Sequence, residues 1–261
     1  MIEAFLALLF GLIIGSFLNV CIFRLPRDLS VVAPRSFCIE CEKTIGWYDL
    51  IPVVSYLLLG GKCRYCGHRI SWRYPLVEAL TGALFFFAVW KFGLTLVALK
   101  LCVFGAILIA LIFTDIEARI LPDEFTLGGT ILGLIFSWFV WLPPGLVSMF
   151  SSSRNLQWNS LGESALGAAF PTLCMFALGY LYLKIRKREG LGLGDVKMVA
   201  MIGSFQGLTQ GVLSLMIGSV LGSVIGVIFL FAARKDMRTY ELPFGTFLGV
   251  GALAVALLGL Q

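Results

Sequence analysis

The sequence predicts an all-α polytopic membrane protein of about eight transmembrane helices, with a small cysteine-bearing domain between helices 1 and 2. Three observations carry this. Hydrophobic residues make up 59% of the 261-residue chain and charged residues 13%, with a mean hydropathy of +0.95. That composition excludes a water-soluble globule. The apolar residues come in long blocks rather than in alternating segments of about ten, so the spans are helices and not barrel strands. One polar stretch, Arg24 to Tyr74, interrupts the blocks early and holds four of the seven cysteines. No tandem repeat stands out.

The first apolar block, Ala4 to Phe23, is read as a membrane helix and not as a secretory signal. Glu3 stands where a basic leader would be, and the block ends in Arg24-Leu25-Pro26-Arg27 rather than at a small-residue cleavage site. Its Gly11, Gly15, Ser16 and Asn19 suit close helix contact. Leu76 to Trp90 and Leu94 to Phe113 form a helical hairpin turned at Lys91-Phe92-Gly93. Phe125 to Leu142 follows and is stopped by Pro143-Pro144. Leu161 to Leu183 is the next span, with a kink expected at Pro171. From Met198 to Ala233 there is no charged residue. At about 20 residues per span this run fits two short helices better than one, with the break between Gln206-Gly207 and Gln210-Gly211. Phe244 to Leu260 closes the chain.

Lysine and arginine placement orients this layout. Of the twenty, only Lys91, Lys100 and Arg154 fall on or toward one side. The positive-inside rule therefore places the cysteine domain, and the loops carrying Asp115 and Asp195, at the cytoplasmic face, with both termini outside. The net charge of +5 is first of all a topology signal here, and no nucleic-acid partner is expected.

Cys38-x2-Cys41 and Cys63-x2-Cys66 are paired knuckles, each able to offer two thiolates to one tetrahedral metal. A reducing cytoplasm favours structural Zn2+ over disulfides. Four sulfur ligands leave no open position, so such a metal builds the domain and does not catalyse. Cys21, Cys102 and Cys174 lie in apolar segments and read as small buried hydrophobes. His68, the single histidine, reads as a metal or surface residue. No His-Glu-x-x-His metalloprotease helix exists.

Asp115 and Asp195 stand at the mouths of apolar segments, where ionisable groups are costly and usually functional. Asp195 follows three alternating glycines in Gly190-Leu191-Gly192-Leu193-Gly194-Asp195-Val196-Lys197, and Asp115 opens Thr114-Asp115-Ile116-Glu117-Ala118-Arg119-Ile120-Leu121-Pro122-Asp123. If the two meet, like-charge repulsion leaves one protonated and one ionised. That is the state an aspartic protease uses: one carboxylate activates water, and its protonated partner polarises the scissile carbonyl. The plain alternative for either aspartate is a solvated helix end. Glu117, Asp123 and Glu124 compete for the role further along the loop. Lys197 either modulates Asp195 or snorkels to the interface.

Together these motifs resemble the type IV prepilin peptidases, membrane aspartic proteases of the Gly-x-Gly-Asp class. The resemblance also takes in Gly15-Ser16-Phe17-Leu18-Asn19-Val20 through Arg24-Leu25-Pro26, the two knuckles, Arg73-Tyr74-Pro75-Leu76-Val77-Glu78 and Pro243-Phe244-Gly245, so it covers nearly the whole chain. It implies a bifunctional enzyme of the bacterial inner membrane. Such an enzyme cuts the basic leader from type IV prepilins or type II secretion pseudopilins after a glycine, then methylates the new N-terminal amine with S-adenosylmethionine. It places catalysis on Asp115 and Asp195 and Zn2+ on Cys38, Cys41, Cys63 and Cys66. Residues 1–23 would be the first transmembrane helix, 24–75 the cytoplasmic tetracysteine zinc domain associated with methyl transfer, and 76–261 a seven-helix membrane aspartic peptidase.

Methyl-donor binding rests on that amino-terminal domain, since Gly190-x-Gly192-x-Gly194 lacks the spacing and strand context of a nucleotide loop. Asn19, Arg24, Glu40 and Glu78 are the polar candidates for it. One departure from the resemblance is Thr246, where many relatives carry a second proline. It is expected to affect the last helix more than the chemistry. Two other classes compete: a transporter or channel using the aspartates as ion sites, which predicts ion flux without cleavage, and a non-catalytic assembly factor, which predicts that Asp115→Asn and Asp195→Asn are harmless.

Overall fold

The computed structural model describes residues 1–150, 155–187, 192–233 and 243–259. Arg154, Arg188, Gly190, Leu191, Arg234, Lys235, Arg238 and Leu260, to which the sequence gives topology or turn roles, lie outside the described residues. The described chain is all-helical apart from two isolated bridges, Phe37 with Thr44 and Lys62 with Arg69. Among the described residues, five helices are long and apolar enough to cross a membrane. The fold divides into two compact units, Met1–Ala110 and Leu111–Gln261.

In the first unit, α1 (Ile2–Arg24) packs along α3 (Arg73–Phe92). The contact is made by small residues, which let two backbones approach where apolar lipid gives no hydrophobic drive to association. A methyl group on Gly11 would lie 2.8 Å from Cβ of Phe85, and one on Gly15 only 2.7 Å from Cα of Glu78. Between the two helices the chain forms the polar domain, with one short α-helix, α2 (Val54–Leu58), and two 3-10 turns, Leu25–Arg27 and Trp47–Leu50. The long α4 (Leu96–Ala118) begins in this unit and ends in the second.

The two cysteine knuckles prove to be one turn used twice. The N–H of Cys38 donates to the Lys43 carbonyl (3.0 Å), and the N–H of Glu42 returns to the Cys38 carbonyl (2.8 Å). The same pair recurs as Cys63 to His68 (2.8 Å) and Gly67 to Cys63 (3.0 Å). The residue after the second cysteine is left-handed in both, at φ 70° for Gly67 and φ 55° for Glu42. Glycine takes that conformation freely and glutamate does not, so the sequence conceals the repeat in the first knuckle.

The second unit holds the end of α4, then α5 (Asp123–Phe139), the short α6 (Leu146–Phe150), α7 (Leu156–Arg186), α8 (Leu193–Ala233) and α9 (Phe244–Leu258). Arg119 leaves α4 in a left-handed conformation (φ 54°) and Pro122 opens α5. The side chain of Asn155 caps α7 by accepting from the N–H of Gln157 at 3.1 Å, which starts that helix ahead of the expected Leu161. Pro171 sits inside α7, which continues through it.

Gly207 leaves helical geometry at φ 76°, ψ −179° and breaks α8 in the expected place. The piece from Leu193 to Gln206 is about 21 Å long, shorter than a bilayer core. The side chain of Gln206 ties the break to its neighbours. Gln206 donates to the Ala252 carbonyl on α9 (2.9 Å) and accepts from the Ser214 hydroxyl (2.5 Å). Helices α7 and α8 cross at Gly167 and Gly203, where a methyl on Gly203 would collide with the Gly167 carbonyl oxygen.

Candidate active site

Asp115 is on the last turn of α4 and is 5% exposed. Its Oδ2 accepts two hydrogen bonds from one residue, Thr246: the backbone N–H at 2.6 Å and the hydroxyl at 2.9 Å. Thr246 lies on the first turn of α9, where backbone N–H groups have no helical partner and point outward. Thr246 is thus tied to Asp115 as well as to the last helix. A proline at 246 would supply neither donor, so this departure falls directly on the aspartate.

Asp195 lies on the first turn of α8, half-buried, within electrostatic reach of Asp115. The structure thus brings together two carboxylates that are far apart in sequence. Each has a glycine against its Oδ2. A methyl group on Gly245 would sit 3.2 Å from that oxygen of Asp115, and one on Gly192 would sit 3.3 Å from that of Asp195. Gly194 has a different neighbour, since a methyl there would press on Leu121 Cβ at 3.2 Å. The two glycines before Asp195 therefore keep clear two different things: the carboxylate itself, and the Leu121 turn that leads from α4 into α5.

Lys197 binds neither of the two aspartates. Its Nζ donates to both oxygens of Asp123, at 2.7 and 2.9 Å, tying the first turn of α8 to the first turn of α5. Asp123, a competitor for the catalytic role in the sequence, is occupied by this pair at the surface, where it also favours the start of α5.

The first unit carries two further features. The sulfurs of Cys38, Cys41, Cys63 and Cys66 all lie within 4.8 Å of one another, with Cys38 and Cys66 at 3.8 Å. A tetrahedral ion with bonds of about 2.3 Å to sulfur separates its ligands by about 3.8 Å, so this set fits a metal. The N–H groups of Cys66 and Tyr65, pointing at the Cys63 sulfur, draw that thiol down to about 7. Cys66 is pushed up to about 12: the His68 N–H works against this, and lost solvation and the neighbouring sulfurs prevail. Four crowded thiols cannot all ionise without a cation among them.

Beside the cluster is a cavity of about 570 Å³, within the range of small-molecule sites. Three of the four residues expected to bind a methyl donor line it: Asn19, Arg24 and Glu78. The fourth, Glu40, does not, and stands at the surface 3.8 Å from Nδ1 of His68. The Arg24 guanidinium is committed to the carbonyls of Ser30 (2.8 Å) and Pro34 (2.7 Å). Asn19 donates to the carbonyls of Gly15 and Tyr74, and its buried Oδ1 has no partner among the described residues. Asp49 and Arg64 face each other across the cavity wall as a two-pronged ion pair, at 2.6 to 3.1 Å.

Sequence reasoning missed Thr246 as the partner of Asp115, Gly245 as its spacer and Asp123 as the partner of Lys197. The signal for Thr246 was present: a hydroxyl just inside a helix start, directly after Pro243-Phe244-Gly245.

Residues 9–92 match the bacterial peptidase A24 N-terminal domain, and residues 102–227 match the type IV leader peptidase family. A prepilin leader peptidase/N-methyltransferase of Myxococcus xanthus is 40% identical over 195 residues, which is 75% of this chain and 53% of that protein. Proteins of the same name from Pseudomonas putida and Bacillus subtilis are 33% and 32% identical. Those matches span 97% and 96% of this chain, and 90% and 92% of the relatives. No solved structure matches the chain. From its two matching domains, and from relatives aligned along nearly its whole length, the chain belongs to the type IV leader peptidase family.

Proposed function

We propose that this protein is a bifunctional prepilin-processing enzyme of the bacterial inner membrane. It removes the basic leader from type IV prepilins or type II secretion pseudopilins and then methylates the exposed N-terminal amine. The observation that carries the reading is the meeting of Asp115 and Asp195 at the ends of two apolar helices. The substrate is itself an apolar helix with a basic leader, so its scissile bond must be met at the boundary of the bilayer. Both aspartates are placed at the cytoplasmic face by the positive-inside reading.

In this mechanism one carboxylate is ionised and takes a proton from the attacking water. The other is protonated, polarises the scissile carbonyl and later helps donate to the leaving amine. The Thr246 donors fix the Asp115 carboxylate against rotation, so its Oδ1 is the oxygen left to face water or substrate. Gly245 and Gly192 keep the approach to each carboxylate free of side chains.

Eight passes are counted by including α5, α9 and the two halves of α8 that Gly207 separates. Residues 24–75 form a cytoplasmic domain built around Zn2+ held by Cys38, Cys41, Cys63 and Cys66, a closed and structural site. Residues 76–261 are the peptidase. Methyl transfer belongs to the cavity of the first unit, where Asn19, Arg24 and Glu78 are the polar wall and Glu40 stays outside. Bound there, S-adenosylmethionine supplies an electrophilic methyl group.

The test mixes purified full-length protein in lipid with a solubilised prepilin and reads intact masses with and without S-adenosylmethionine. Loss of the leader mass, abolished by Asp115→Asn and by Asp195→Asn, with a donor-dependent gain of one methyl group, supports both activities. A folded, zinc-loaded wild type that leaves several prepilins uncut overturns the reading.

A further inference from the structure

Glu78 stands apart from the other acid in the cavity. Asp49 is neutralised by Arg64, whereas no cation among the described residues pairs with Glu78. It is 8% exposed, on the first turns of α3. Its hydrogen-bond donor is neutral: the N–H of Val53 reaches Oε2 at 2.7 Å, and Ser16 of α1 lines the same wall. A carboxylate with no cation in an apolar wall is costly to keep.

The backbone at Val53 is an independent sign. Val53 sits at φ 60°, ψ −48°. That region is sparsely populated by any residue with a side chain, and for a β-branched one it is a true outlier. This conformation turns the Val53 N–H onto Glu78 just before α2 begins. Strain of this kind persists where the surroundings over-determine it, and it gathers at functional sites. A neutral glutamine would meet the same donor, so the bond alone does not require a charged group.

We propose that Glu78 is the proton acceptor of methyl transfer and the seat of the substrate's N-terminal amine, not a contact to the methyl donor. This rests on the methyltransferase reading of the cavity. A peptide α-amine has a pKa of about 7.7 to 8.0, so near neutral pH most of it is ammonium and carries no free lone pair. Glu78 attracts that ammonium and takes its proton. The freed lone pair forms the new N–C bond as the methyl C–S bond breaks, and that electron pair leaves on sulfur as a neutral thioether. The methylated amine then carries the positive charge, and Glu78 returns its proton to solvent. Asn19, one turn from Gly15 at the same helix contact, brings a buried acceptor to the same wall.

The other ionisable groups lining the cavity are Arg24 from α1, Tyr74 from α3, and Asp49, Tyr56, Arg64, Tyr65, His68 and Arg69 from the polar domain, besides the sulfur cluster. Arg24 and the Asp49–Arg64 pair are already committed to protein partners.

The experiment uses zinc-loaded full-length protein in lipid and a prepilin already cut by wild-type enzyme. It compares wild type, Glu78→Gln and Glu78→Asp. Methylation rate is followed from pH 6 to 10, and S-adenosylhomocysteine binding is followed by calorimetry. The Glu78→Gln rate is expected to fall by about tenfold at pH 7, where only about a tenth of an α-amine of pKa near 8 is free. That deficit should shrink to about twofold at the amine's own pKa, because solvent then supplies the free amine. S-adenosylhomocysteine affinity should stay within twofold, and leader cleavage should continue, which also reports folding. Glu78→Asp should keep the wild-type pH profile at a reduced rate, and it decides the matter if Glu78→Gln fails to fold. A deficit that is constant across pH, or a loss of S-adenosylhomocysteine affinity in step with rate, overturns the assignment. A wild type that cuts but methylates no substrate overturns the methyltransferase reading itself.

Discussion

Thr246 makes both of its polar donors available to a single oxygen of Asp115, across 131 residues of sequence. The start of α9 thereby clamps the end of α4. Hydrogen bonds to a carboxylate are worth about 1.5–3 kcal/mol each when the partner is removed. Thr246→Val, which keeps the N–H and loses the hydroxyl, is expected to slow leader cleavage by about 10- to 150-fold at saturating substrate. Thr246→Ser should remain within a few-fold of wild type. If Thr246→Val cuts as fast as wild type, the hydroxyl has no part in holding Asp115.

Glycines at the site differ from glycines elsewhere in the same unit. A methyl group on Gly245 meets Leu121 at 3.0 Å and Asp115 at 3.2 Å, while one on Gly128 meets nothing within 4 Å. Gly245→Ala is expected to lower cleavage by at least about tenfold, equivalent to some 1.4 kcal/mol, whereas Gly128→Ala should be silent. Equal activity of the two variants, measured on the same prepilin, would refute the spacer role.

The Lys197–Asp123 pair is substantially exposed, with side chains 36% and 56% accessible. Exposed pairs contribute about 0.2–1 kcal/mol. Lys197→Met and Asp123→Asn should therefore each leave cleavage within a few-fold, and a double-mutant cycle on thermal stability should give a coupling in that range. A loss of about 100-fold on Lys197→Met, near 2.7 kcal/mol, would reassign Lys197 to the chemistry.

Metal removal should act on the two activities unequally. A chelator, or Cys63→Ser, is expected to unfold the polar domain and abolish methylation while leader cleavage persists in part. Reloading with Zn2+ should restore methylation and release protons, because thiols must ionise to bind. Metal-free protein that methylates at the wild-type rate would sink the structural-metal proposal.

Asp49 offers a pH test confined to the same domain. Its hydrogen bonds with Arg64 hold the Asp49 carboxyl below its ordinary value of 3.8. The folded-state value is depressed, so the pair's contribution is present above pH 3.8 and is lost as pH falls through the lower folded value. Because Arg64 is exposed, the effect should be small. Hydrogen exchange of the polar domain should show wild type better protected than Asp49→Asn at about pH 6, and the difference should vanish in stronger acid. A difference that persists undiminished in acid would mean that the substitution acts through something other than the lost charge.

Much of this protein was legible in the sequence because the relevant physics is local. A block of apolar residues closes its own backbone hydrogen bonds as a helix, so the spans could be read directly, and Gly207 could be placed as a break because glycine alone tolerates that backbone. Cysteine spacing set the two knuckles for the same reason. The glycines before Asp195 marked a crowded turn without saying what crowds it.

What only the tertiary structure decided is partner choice, which depends on which faces of distant helices meet. The sequence could not say that Lys197 turns to Asp123 rather than Asp195, that Glu40 stays outside the cavity that Asn19, Arg24 and Glu78 share, or that Thr246 reaches back to Asp115. A side chain's polarity is written in the chain, but the donor that satisfies it is supplied by another helix at a distance of about 3 Å. That distance is set by the packing of the small residues between the helices, and no local pattern encodes it.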